Sequence, residues 1–418
     1  MKTLISLGGG IEAVPIIQRV KELGFRVVVV DGNPNALGFA VADCCSDASC
    51  YHGDQAIRDL SIIGEHYDGV LCAAVDAPIT CAEVAAAFGL PGLSVEAARL
   101  SQDKAAQKGT LVDVNAVRLP DYWEVDTLED ILDMRDDWKY QTVVKPVDSR
   151  GGRGVIRLLD DIDAALAYEQ AHTASPTGRV MVEQWLDGPQ LSTESIIQDG
   201  RVLFTAVGLR NYARLDEFAP YVIEDGFDEP YPDHAWYEGG KHNLDYSIDD
   251  TIESACRAMG WYQRGAGTVK GDLVIHAGRV YVIELAARLS GGFFASHGHP
   301  LAYGVDFVGA AIKAALGYTL EEPEYYARGF VSQRYVFPTK EDIGKIVIRK
   351  PDLTDSGFIT RTPFDVATWN IQEGDVVKPV TCHPDRWGQA LATGYTPDKA
   401  QQRAEAAVAA MKCGVILA

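Results

Sequence analysis

The sequence predicts an α/β protein, with α+β character in its later parts. Two patterns lead to this fold class. Over the first hundred residues, apolar strand-like segments alternate with segments whose apolar residues recur at helical spacing, which is typical of a parallel sheet covered by helices. From about residue 188, strand-like segments follow one another directly, which is typical of antiparallel pairing.

The elements of the first hundred residues follow from local composition. Apolar or β-branched runs bounded by glycine, asparagine or aspartate predict strands, and apolar residues three and four apart predict helices. The predicted strands are TLISLGGG, FRVVVVDGNP and GVLCAAVD, and the predicted helices cover residues 12–23 and 79–88.

Three further regions follow. From Lys104 we predict the strand QTVVKP, the glycine-rich segment SRGGRGV, the helix DIDAALAYEQAH and the strand RVMVEQWL. Residues 188–326 predict antiparallel strands, the helix VDFVGAAIKAAL and a long irregular segment at 211–245, a kind of segment that is usually functional or mobile. The remainder predicts short strands and an alanine-rich helix at 397–411.

Composition limits the classes of function. A chain of 418 residues exceeds what one hydrophobic core usually supports, so two to three domains are expected. The formal net charge, 38 − 59 = −21, argues against partners such as nucleic acid or an anionic membrane surface. There is no apolar run of membrane-spanning length, no signal-peptide pattern and no zinc-type cysteine spacing. A cytoplasmic protein is expected.

A glycine motif follows the first predicted strand. Residues 8–13 fit G-x-G-x-x-A, and Asp31 ends the next strand, where dinucleotide-binding proteins place the acid that binds ribose. A nicotinamide-dependent dehydrogenase is therefore a competing hypothesis. It is disfavoured because glycines are needed wherever a strand turns sharply into a helix, and the later sequence offers no hydride-transfer site.

Two acidic residues give the clearest indication of the chemistry. Asp272 and Glu284 flank residues 276–279 (HAGR), a predicted turn between two strands. Alternate side chains of a strand share a face, so acids on either side of a tight turn can meet across the pair. Facing carboxylates repel unless a cation lies between them, and Mg²⁺ prefers such oxygen ligands. The alternative is a pair of solvated acids beside a hairpin.

A basic, glycine-rich segment predicts a phosphate-binding loop. Lys145 lies at the end of an apolar strand, and residues 150–154 (RGGRG) follow. Glycines let successive backbone N–H groups point into one concavity, and a lysine on a rigid strand binds phosphate as a point charge. The alternative is a surface hairpin with solvated arginines. The strand at 181–186 fits either one wall of a base-binding pocket or an ordinary core strand.

The order of these parts resembles the ATP-grasp superfamily, especially the group of biotin carboxylase, carbamoyl-phosphate synthetase and amino-acid or peptide ligases. The resemblance rests on Asp103-Lys104, VVKP with its glycine-rich loop, VEQWLDGPQ, the acid pair and ELAARLSGG, and it covers almost the whole chain. It implies an ATP-grasp fold with an N-terminal Rossmann-like pre-ATP-grasp domain that does not bind NAD (1–103), an ATP-grasp domain (104–326, with a small lid lobe at about 115–182) and a C-terminal α+β portion (327–418).

The resemblance also implies roles for individual residues. The expected catalytic residues are Lys145 and Arg288, where Arg288 would orient the acceptor carboxylate. Asp272 and Glu284 would hold Mg²⁺ or Mn²⁺. The residues expected to bind ATP are Lys104, Lys145, the loop residues Ser149, Gly151, Gly152 and Gly154, and the base-pocket residues Glu183, Gln184, Trp185, Leu186 and Gln190, the last of which replaces a ribose-binding acid of many members.

One departure from the family pattern concerns the metal. The family motif E-x-N-P-R reads Glu284-Leu285-Ala286-Ala287-Arg288 here, so an alanine stands where many members have an asparagine that ligates a second ion. A methyl group cannot coordinate Mg²⁺, and weaker binding of one of the two ions is expected.

The acceptor pocket is expected beyond Arg288. Its candidate residues are Asp76, Arg210, Arg214, Ser290, Gly291, Gly292 and His297. His297, with His299, would assist proton removal from an amine or would make ordinary structural hydrogen bonds. The arginines would bind a substrate anion or lie exposed, and Asp76 would pair with a substrate amine or cap the next helix.

The function implied by the resemblance is an ADP-forming carboxylate–amine ligase that joins amino-acid-like small molecules. ATP would phosphorylate the carboxylate, and an amine would attack the acyl phosphate. One alternative is a carboxylase-type enzyme that phosphorylates bicarbonate, and another is a nucleotide-binding module without turnover. Dimers are common in the family, so a homodimer is compatible with the resemblance.

Overall fold

The computed structural model describes residues 1–135, 141–159, 164–231, 247–326, 329–355 and 364–418, so part of the irregular segment predicted at 211–245 and the start of the helix DIDAALAYEQAH lie outside the described residues. The chain forms two compact units, each assembled from separate stretches. Unit 1 comprises Met1–Leu119, Leu191–Val207 and His234–Tyr326, and unit 2 comprises Pro120–Gln190, Gly208–Asp233 and Ala327–Ala418. The three-domain division stays a prediction.

Unit 1 contains a parallel sheet built from the first hundred residues. Its strand order is β3-β2-β1-β4, with β1 Thr3–Leu7, β2 Arg26–Val30, β3 Cys44–Ser46 and β4 Gly69–Cys72. These strands confirm the predicted parallel sheet, and all residues of β1 are buried, which explains their unbroken apolar sequence. The accompanying helices are α1 Val14–Glu22, α2 Gly53–Ile63, α3 Pro78–Phe88, α4 Val95–Arg99 and α5 Lys104–Leu111.

The glycines after β1 form a turn that Asp31 stabilises. The N–H of Gly9 donates to Asp31 Oδ2 at 2.7 Å, and the N–H of Asn33 donates to Oδ1 at 2.9 Å. Gly8 has a φ of +96°, and a Cβ there would lie 2.5 Å from the side chain of Val75. The turn itself therefore requires both the glycine and the acid, which explains on structural grounds why the segment resembles a dinucleotide-binding motif.

The rest of unit 1 is mainly antiparallel, as predicted. The strand order is β13-β12-β9-β10, and β10 continues into unit 2. The long strands are β9 Gln190–Gln198, β10 Arg201–Asn211, β12 Ala266–His276 and β13 Arg279–Ala286, and the helices are α8 Ile248–Ala258, α9 His299–Tyr303 and α10 Phe307–Ala315. A turn of π-helix, Phe294–Gly298, precedes α9.

Unit 2 begins with a small antiparallel sheet in the order β5-β8-β6-β7. The strands are β5 Tyr122–Val125, β6 Thr142–Pro146, β7 Ile156–Leu158 and β8 Val180–Gln184, and the helices are α6 Leu128–Arg135 and α7 Ala164–Ala174. Val144, Ile156 and Val182 share a buried core with Ala167 and Ala171 of α7. This core fixes one face of β6 and leaves the alternate residues of that strand, including Lys145, for the other face.

The remaining strands of unit 2 extend from the end of β10 in the order β10-β11-β14-β17-β16, and β15 pairs with β18 separately. Their bounds are β11 Gly226–Glu229, β14 Phe330–Val336, β15 Val347–Arg349, β16 Val366–Trp369, β17 Gly388–Gly394 and β18 Ile416–Leu417. The predicted alanine-rich helix is α11, Pro397–Cys413, which the Thr396 side chain caps. Within the described ranges, no helix has the length and apolar composition needed to cross a membrane.

Candidate active site

The predicted hairpin with facing acids is present in unit 1. Strands β12 and β13 are joined at Ala277 and Gly278, whose φ angles of +50° and +75° form the tight turn. Asp272 and Glu284 are direct partners in the register of the two strands, and the register shifts immediately after Asp272. The two carboxylates therefore lie on one face of the hairpin, and their mutual repulsion requires positive charge nearby.

Two lysines supply that positive charge. Lys270 donates a hydrogen bond to Asp272, and the Nζ of Lys104 lies 3.6 Å from the Oε2 of Glu284. Lys104 is the first residue of α5, directly after Asp103, whose side chain caps the helix by accepting from the N–H of Ala106. The capped helix thus fixes the backbone from which Lys104 reaches the acid pair.

The acid pair has the donor chemistry that Mg²⁺ prefers. Both groups offer carboxylate oxygens from adjacent strands, which fix their separation. Among the described residues no cluster of three or more His, Cys, Asp or Glu side chains forms a candidate metal site. The residues present fit an ion that takes two ligands from the protein and its other ligands from phosphate oxygens and water, which is the usual habit of Mg²⁺ beside nucleotides.

Lys270 also bears on the Ala286 departure. Ala286 is fully buried, and it is the cross-strand partner of Lys270. The Lys270 side chain thus extends from the position opposite Ala286, where the asparagine ligand is missing, and its ammonium group donates to Asp272. The sequence analysis missed this lysine, although its place two residues before Asp272 on the same strand puts both side chains on one face.

We expect one tight divalent-ion site and a second that is at least about tenfold weaker. Mn²⁺ binding, followed by electron paramagnetic resonance with a non-hydrolysable ATP analogue, measures both affinities. The double variant Lys270→Gln with Ala286→Asn should tighten the second site, because it removes a competing cation and adds an oxygen ligand. Two equally tight sites in the unchanged chain would contradict this expectation.

Arg288 follows β13 and pairs with Asp76, which follows β4. The Arg288 Nε donates to Asp76 Oδ1 at 3.1 Å, and the backbone oxygen of Asp76 accepts from Gln102 at 2.8 Å. Burial alone would lower the pKa of Arg288, but the charge and hydrogen bond of Asp76 raise it above its usual value. The N-cap residue of α3 is Ala77 and not Asp76.

The segment 287–292 carries the predicted substrate residues Ser290, Gly291 and Gly292. Three of its backbone N–H groups donate to side chains from other parts of unit 1, and Gly292 has a φ of +68° that favours glycine. The acceptors, Ser101, Glu194 and Glu12, were missed by the sequence analysis. A charged residue within the apolar strand segment LSTESII was the available signal for Glu194.

The two candidate histidines differ in their surroundings. The Nδ1 of His297 lies 2.9 Å from the Ser296 hydroxyl, and burial lowers the pKa of His297. His299 is fully buried, packs against Phe307 and lies 4.0 Å from Glu194. The lowered pKa keeps His297 neutral at pH 7, which a proton acceptor requires, whereas the burial of His299 suits a structural role.

If His297 accepts the proton of the attacking amine, kcat should be level between about pH 6.5 and 8 and should fall as the pH drops below the lowered pKa of His297. His297→Asn should remove this acid limb and lower kcat by about 10²-fold. The measurement is kcat from pH 5 to 8 for both proteins. An unchanged acid limb in the variant would exclude His297 as the base.

In unit 2, Lys145 forms a buried ion pair with Glu183. The Nζ–Oε1 distance is 2.6 Å, and both side chains are nearly inaccessible to water. They belong to the paired strands β6 and β8, where Val143 is the direct partner of Glu183, so Lys145 and Glu183 are diagonal neighbours on one face. A buried lysine paired with a carboxylate on the neighbouring strand is a positive charge fixed in place on a rigid sheet.

The glycine-rich loop after β6 contains three glycines in the left-handed region. Gly151, Gly152 and Gly154 have φ angles of +66°, +73° and +69°, and a Cβ on Gly154 would lie 2.8 Å from the backbone oxygen of Gln170. Ser149 precedes these glycines. The N–H of His383 donates to the Gly151 oxygen at 2.9 Å, a contact that the sequence analysis did not predict.

The expected base-pocket residues lie at the end of β8 in unit 2 and in the segment that follows it. The N–H groups of Gln184 and Trp185 donate to the backbone oxygens of Asp121 and Gln141, each at 2.8 Å, so these two donors are already used within the protein. The Leu186 oxygen accepts from the Gln190 side chain at 3.2 Å. A base would therefore contact the side chains and the other backbone groups of this segment.

The predicted anion-binding arginines are each held by an acid of unit 2. The Nε of Arg210 donates to Glu224 at 2.6 Å, and Arg214 forms a bidentate pair with Glu217 at 2.6 and 2.7 Å. The structure thus brings Asp76, Lys104, Asp272, Glu284 and Arg288 together in unit 1 and Lys145 with Glu183 in unit 2. It places Arg210 and Arg214 in separate ion pairs.

Comparison with known proteins now identifies one domain of this chain. Residues 101–292 match the family model of the ATP-grasp domain. The chain contains an ATP-grasp domain. Residues 364–415 also match the model of the L-amino acid ligase C-terminal domain 2. The predicted resemblance and the predicted ATP-grasp fold are confirmed.

The individual proteins that resemble this chain are distant relatives. It is 26% identical over 315 residues to the uncharacterized protein y4rH of Sinorhizobium fredii, which covers 72% of this chain and 60% of that protein. It is 25% identical over 191 residues to the formate-dependent phosphoribosylglycinamide formyltransferase of a Nostoc species, with 44% and 47% covered. The aligned part thus spans about half to three fifths of these curated relatives.

Among solved structures, an L-amino acid ligase from Bacillus licheniformis superposes with a TM-score of 0.77 at 20% identity, and the match covers 100% of this chain and 98% of that one. At this identity the likeness shows the fold that the two chains share. It leaves the substrate of this chain undetermined.

Proposed function

We propose that the chain is an ATP-dependent, ADP-forming ligase that joins the carboxylate of one amino-acid-like molecule to the amine of another. The observation that carries the proposal is the facing pair Asp272 and Glu284, with Arg288 four residues after the second acid and held by Asp76. The family match at 364–415 supports amino acids as the substrate class.

The first chemical step would be phosphorylation of the carboxylate. One carboxylate oxygen attacks the γ-phosphorus of ATP, the bond from that phosphorus to the bridging oxygen breaks, and ADP leaves. The Arg288 guanidinium, a planar fork of N–H donors, would hold the carboxylate. Asp272 and Glu284 would hold Mg²⁺, which supplies charge neutralisation at the phosphates when it is bound.

Unit 2 would bind the nucleotide. Lys145 offers a fixed positive charge, and the left-handed glycines at 151, 152 and 154 expose backbone N–H groups that suit phosphate oxygens. Gly154 has no room for a side chain, so this conformation of the loop requires glycine at that position. The segment 183–190 would line the base pocket.

The second step would be attack by the amine. The nitrogen bonds to the acyl carbon, the carbon–oxygen bond to the phosphoryl group breaks, and inorganic phosphate leaves. His297 would accept the proton of the amine, because burial keeps its imidazole neutral. A cytoplasmic location and a homodimer remain predictions.

A screen of phosphate release tests the proposal. Purified protein is incubated with ATP, Mg²⁺ and the twenty L-amino acids, singly and in pairs, and phosphate, ADP and AMP are measured. We expect ADP and phosphate in equal amounts, dependent on an acid and an amine together. ADP formation that needs only bicarbonate would replace this proposal with the carboxylase alternative, and no nucleotide turnover would favour a binding module.

A further inference from the structure

The segment 287–292, which we name the acceptor loop, is held by side chains rather than by regular secondary structure. The N–H of Ala287 donates to the Ser101 hydroxyl at 2.9 Å, the N–H of Ser290 to Glu194 Oε2 at 2.8 Å, and the N–H of Gly292 to Glu12 Oε2 at 2.8 Å. The acceptors come from three distant stretches of unit 1. Arg288 is the second residue of the acceptor loop, so these bonds fix the backbone from which its side chain extends.

Glu194 is an unusual residue for a merely structural contact. It lies in β9 with no exposed surface, and its Oε1 is buried without a hydrogen-bond partner in the part of the chain that the structure describes. Burial raises the pKa of Glu194 against the opposing effects of His299, Ser290 and Arg288. A buried, half-satisfied carboxylate destabilises a fold, so its presence beside the acceptor loop calls for a functional reason.

Glu12, from the N-terminal part of unit 1, is the second side chain that holds the acceptor loop. It follows the glycine turn after β1, and a Cβ added to Gly291 would lie 2.9 Å from its Oε2. The approach of Glu12 therefore depends on glycine at position 291 as well as on the Gly292 N–H. This accounts for the two consecutive glycines in the acceptor loop, which the sequence analysis gave as candidate residues of the acceptor pocket.

We infer that Glu194 and Glu12 are positioning residues that clamp the backbone of the acceptor loop and so aim the Arg288 guanidinium at the substrate carboxylate. The functional part of this inference rests on the proposed ligase activity, whereas the clamping does not. Two fixed acceptors on N–H groups two residues apart leave the intervening backbone little freedom, and a loop that is rigid before binding loses less entropy when the substrate arrives.

Hydrogen exchange of the ligand-free protein tests the clamp directly. In Glu194→Ala, amide exchange in peptides that cover 286–295 should become at least about tenfold faster, because the Ser290 N–H loses its acceptor. Glu194→Gln keeps an acceptor oxygen, so exchange should stay within about threefold of the parent. Asp68→Asn is the matched control, since Asp68 accepts the N–H of Thr3 at 2.8 Å elsewhere in unit 1. Glu12→Ala is the second variant if Glu194→Ala does not fold.

Thermal stability separates a positioning role from a structural one. A carboxyl group whose pKa is raised in the folded state contributes to the free energy of unfolding at low pH, where it is protonated. It loses that stabilising contribution as the pH rises through the raised pKa. At pH 8, Glu194→Gln should therefore melt at the same temperature as the parent or higher. The rate of phosphate release with ATP, Mg²⁺ and the mixture of twenty L-amino acids should nevertheless fall by about tenfold in Glu194→Ala and recover in Glu194→Gln.

The outcomes are distinguishable. Unchanged exchange in both Glu194→Ala and Glu12→Ala would overturn the inference, and so would a glutamine variant that exchanges as fast as the alanine variant. A parent protein that releases no phosphate with any amino acid would overturn the proposed function instead, and the exchange data would still decide whether the clamp exists.

Discussion

Replacing Glu284 with glutamine is expected to lower the rate of ADP formation by about 10²–10³-fold. Glu284 faces Asp272 across the hairpin, and its Oε2 lies 3.6 Å from the Nζ of Lys104, so its charge belongs to the acid pair that would hold the metal ion. The amide of glutamine has nearly the same shape but no charge, and it is a much poorer ligand for Mg²⁺. The measurement is steady-state ADP release at saturating ATP and Mg²⁺.

The fold should survive this change. Removal of one charge relieves the repulsion between the two carboxylates but weakens the ion pair between Glu284 and Lys104, so the two effects oppose each other and the melting temperature should change little. Glu96→Gln, an exposed acid in the first turn of α4, is the matched control and should keep normal turnover. Turnover within threefold of normal in Glu284→Gln would remove the acid pair from the proposed site.

Replacing Arg288 with lysine is expected to reduce kcat/KM for the carboxylate substrate by about 10²-fold, although the positive charge is retained. Arginine offers a planar fork that can bind Asp76 through one edge and a substrate carboxylate through another, whereas lysine has a single ammonium group. In the variant that ammonium would be drawn to Asp76, and the substrate would lose its partner.

The loss should be specific to the carboxylate. The KM for ATP should change by less than about twofold, because Arg288 would contact the organic acid rather than the nucleotide. Arg99→Lys, an exposed position in the last turn of α4, provides the control. An effect on kcat/KM below threefold would show that Arg288 does not hold the carboxylate.

Much of the fold could be predicted because its signals are local. The parallel sheet is visible as apolar runs such as RVVVV, and the acid hairpin is visible because Ala277 and Gly278 form a turn between two β-rich segments. The alanine-rich helix at the end of the chain is visible for the same reason. Each of these features depends on residues that are near one another in the sequence.

The missing part of the site depends on contacts between residues that are far apart in the chain. Glu194 bonds a residue 96 positions away, Arg288 bonds one 212 positions away, and Glu12 bonds one 280 positions away. No local pattern encodes such pairs, so the sequence could suggest Arg288 and Asp76 separately but could not pair them. Lys270 is different, because the two-residue period of the strand would have placed it beside Asp272.

The central claim is that the γ-phosphoryl group of ATP passes to a carboxylate oxygen. The most direct test uses amino acids labelled with ¹⁸O in the carboxyl group, with mass spectrometry of the phosphate released. Transfer through an acyl phosphate predicts one ¹⁸O atom in each phosphate and ADP as the other product. Unlabelled phosphate, or AMP with pyrophosphate, would contradict the account.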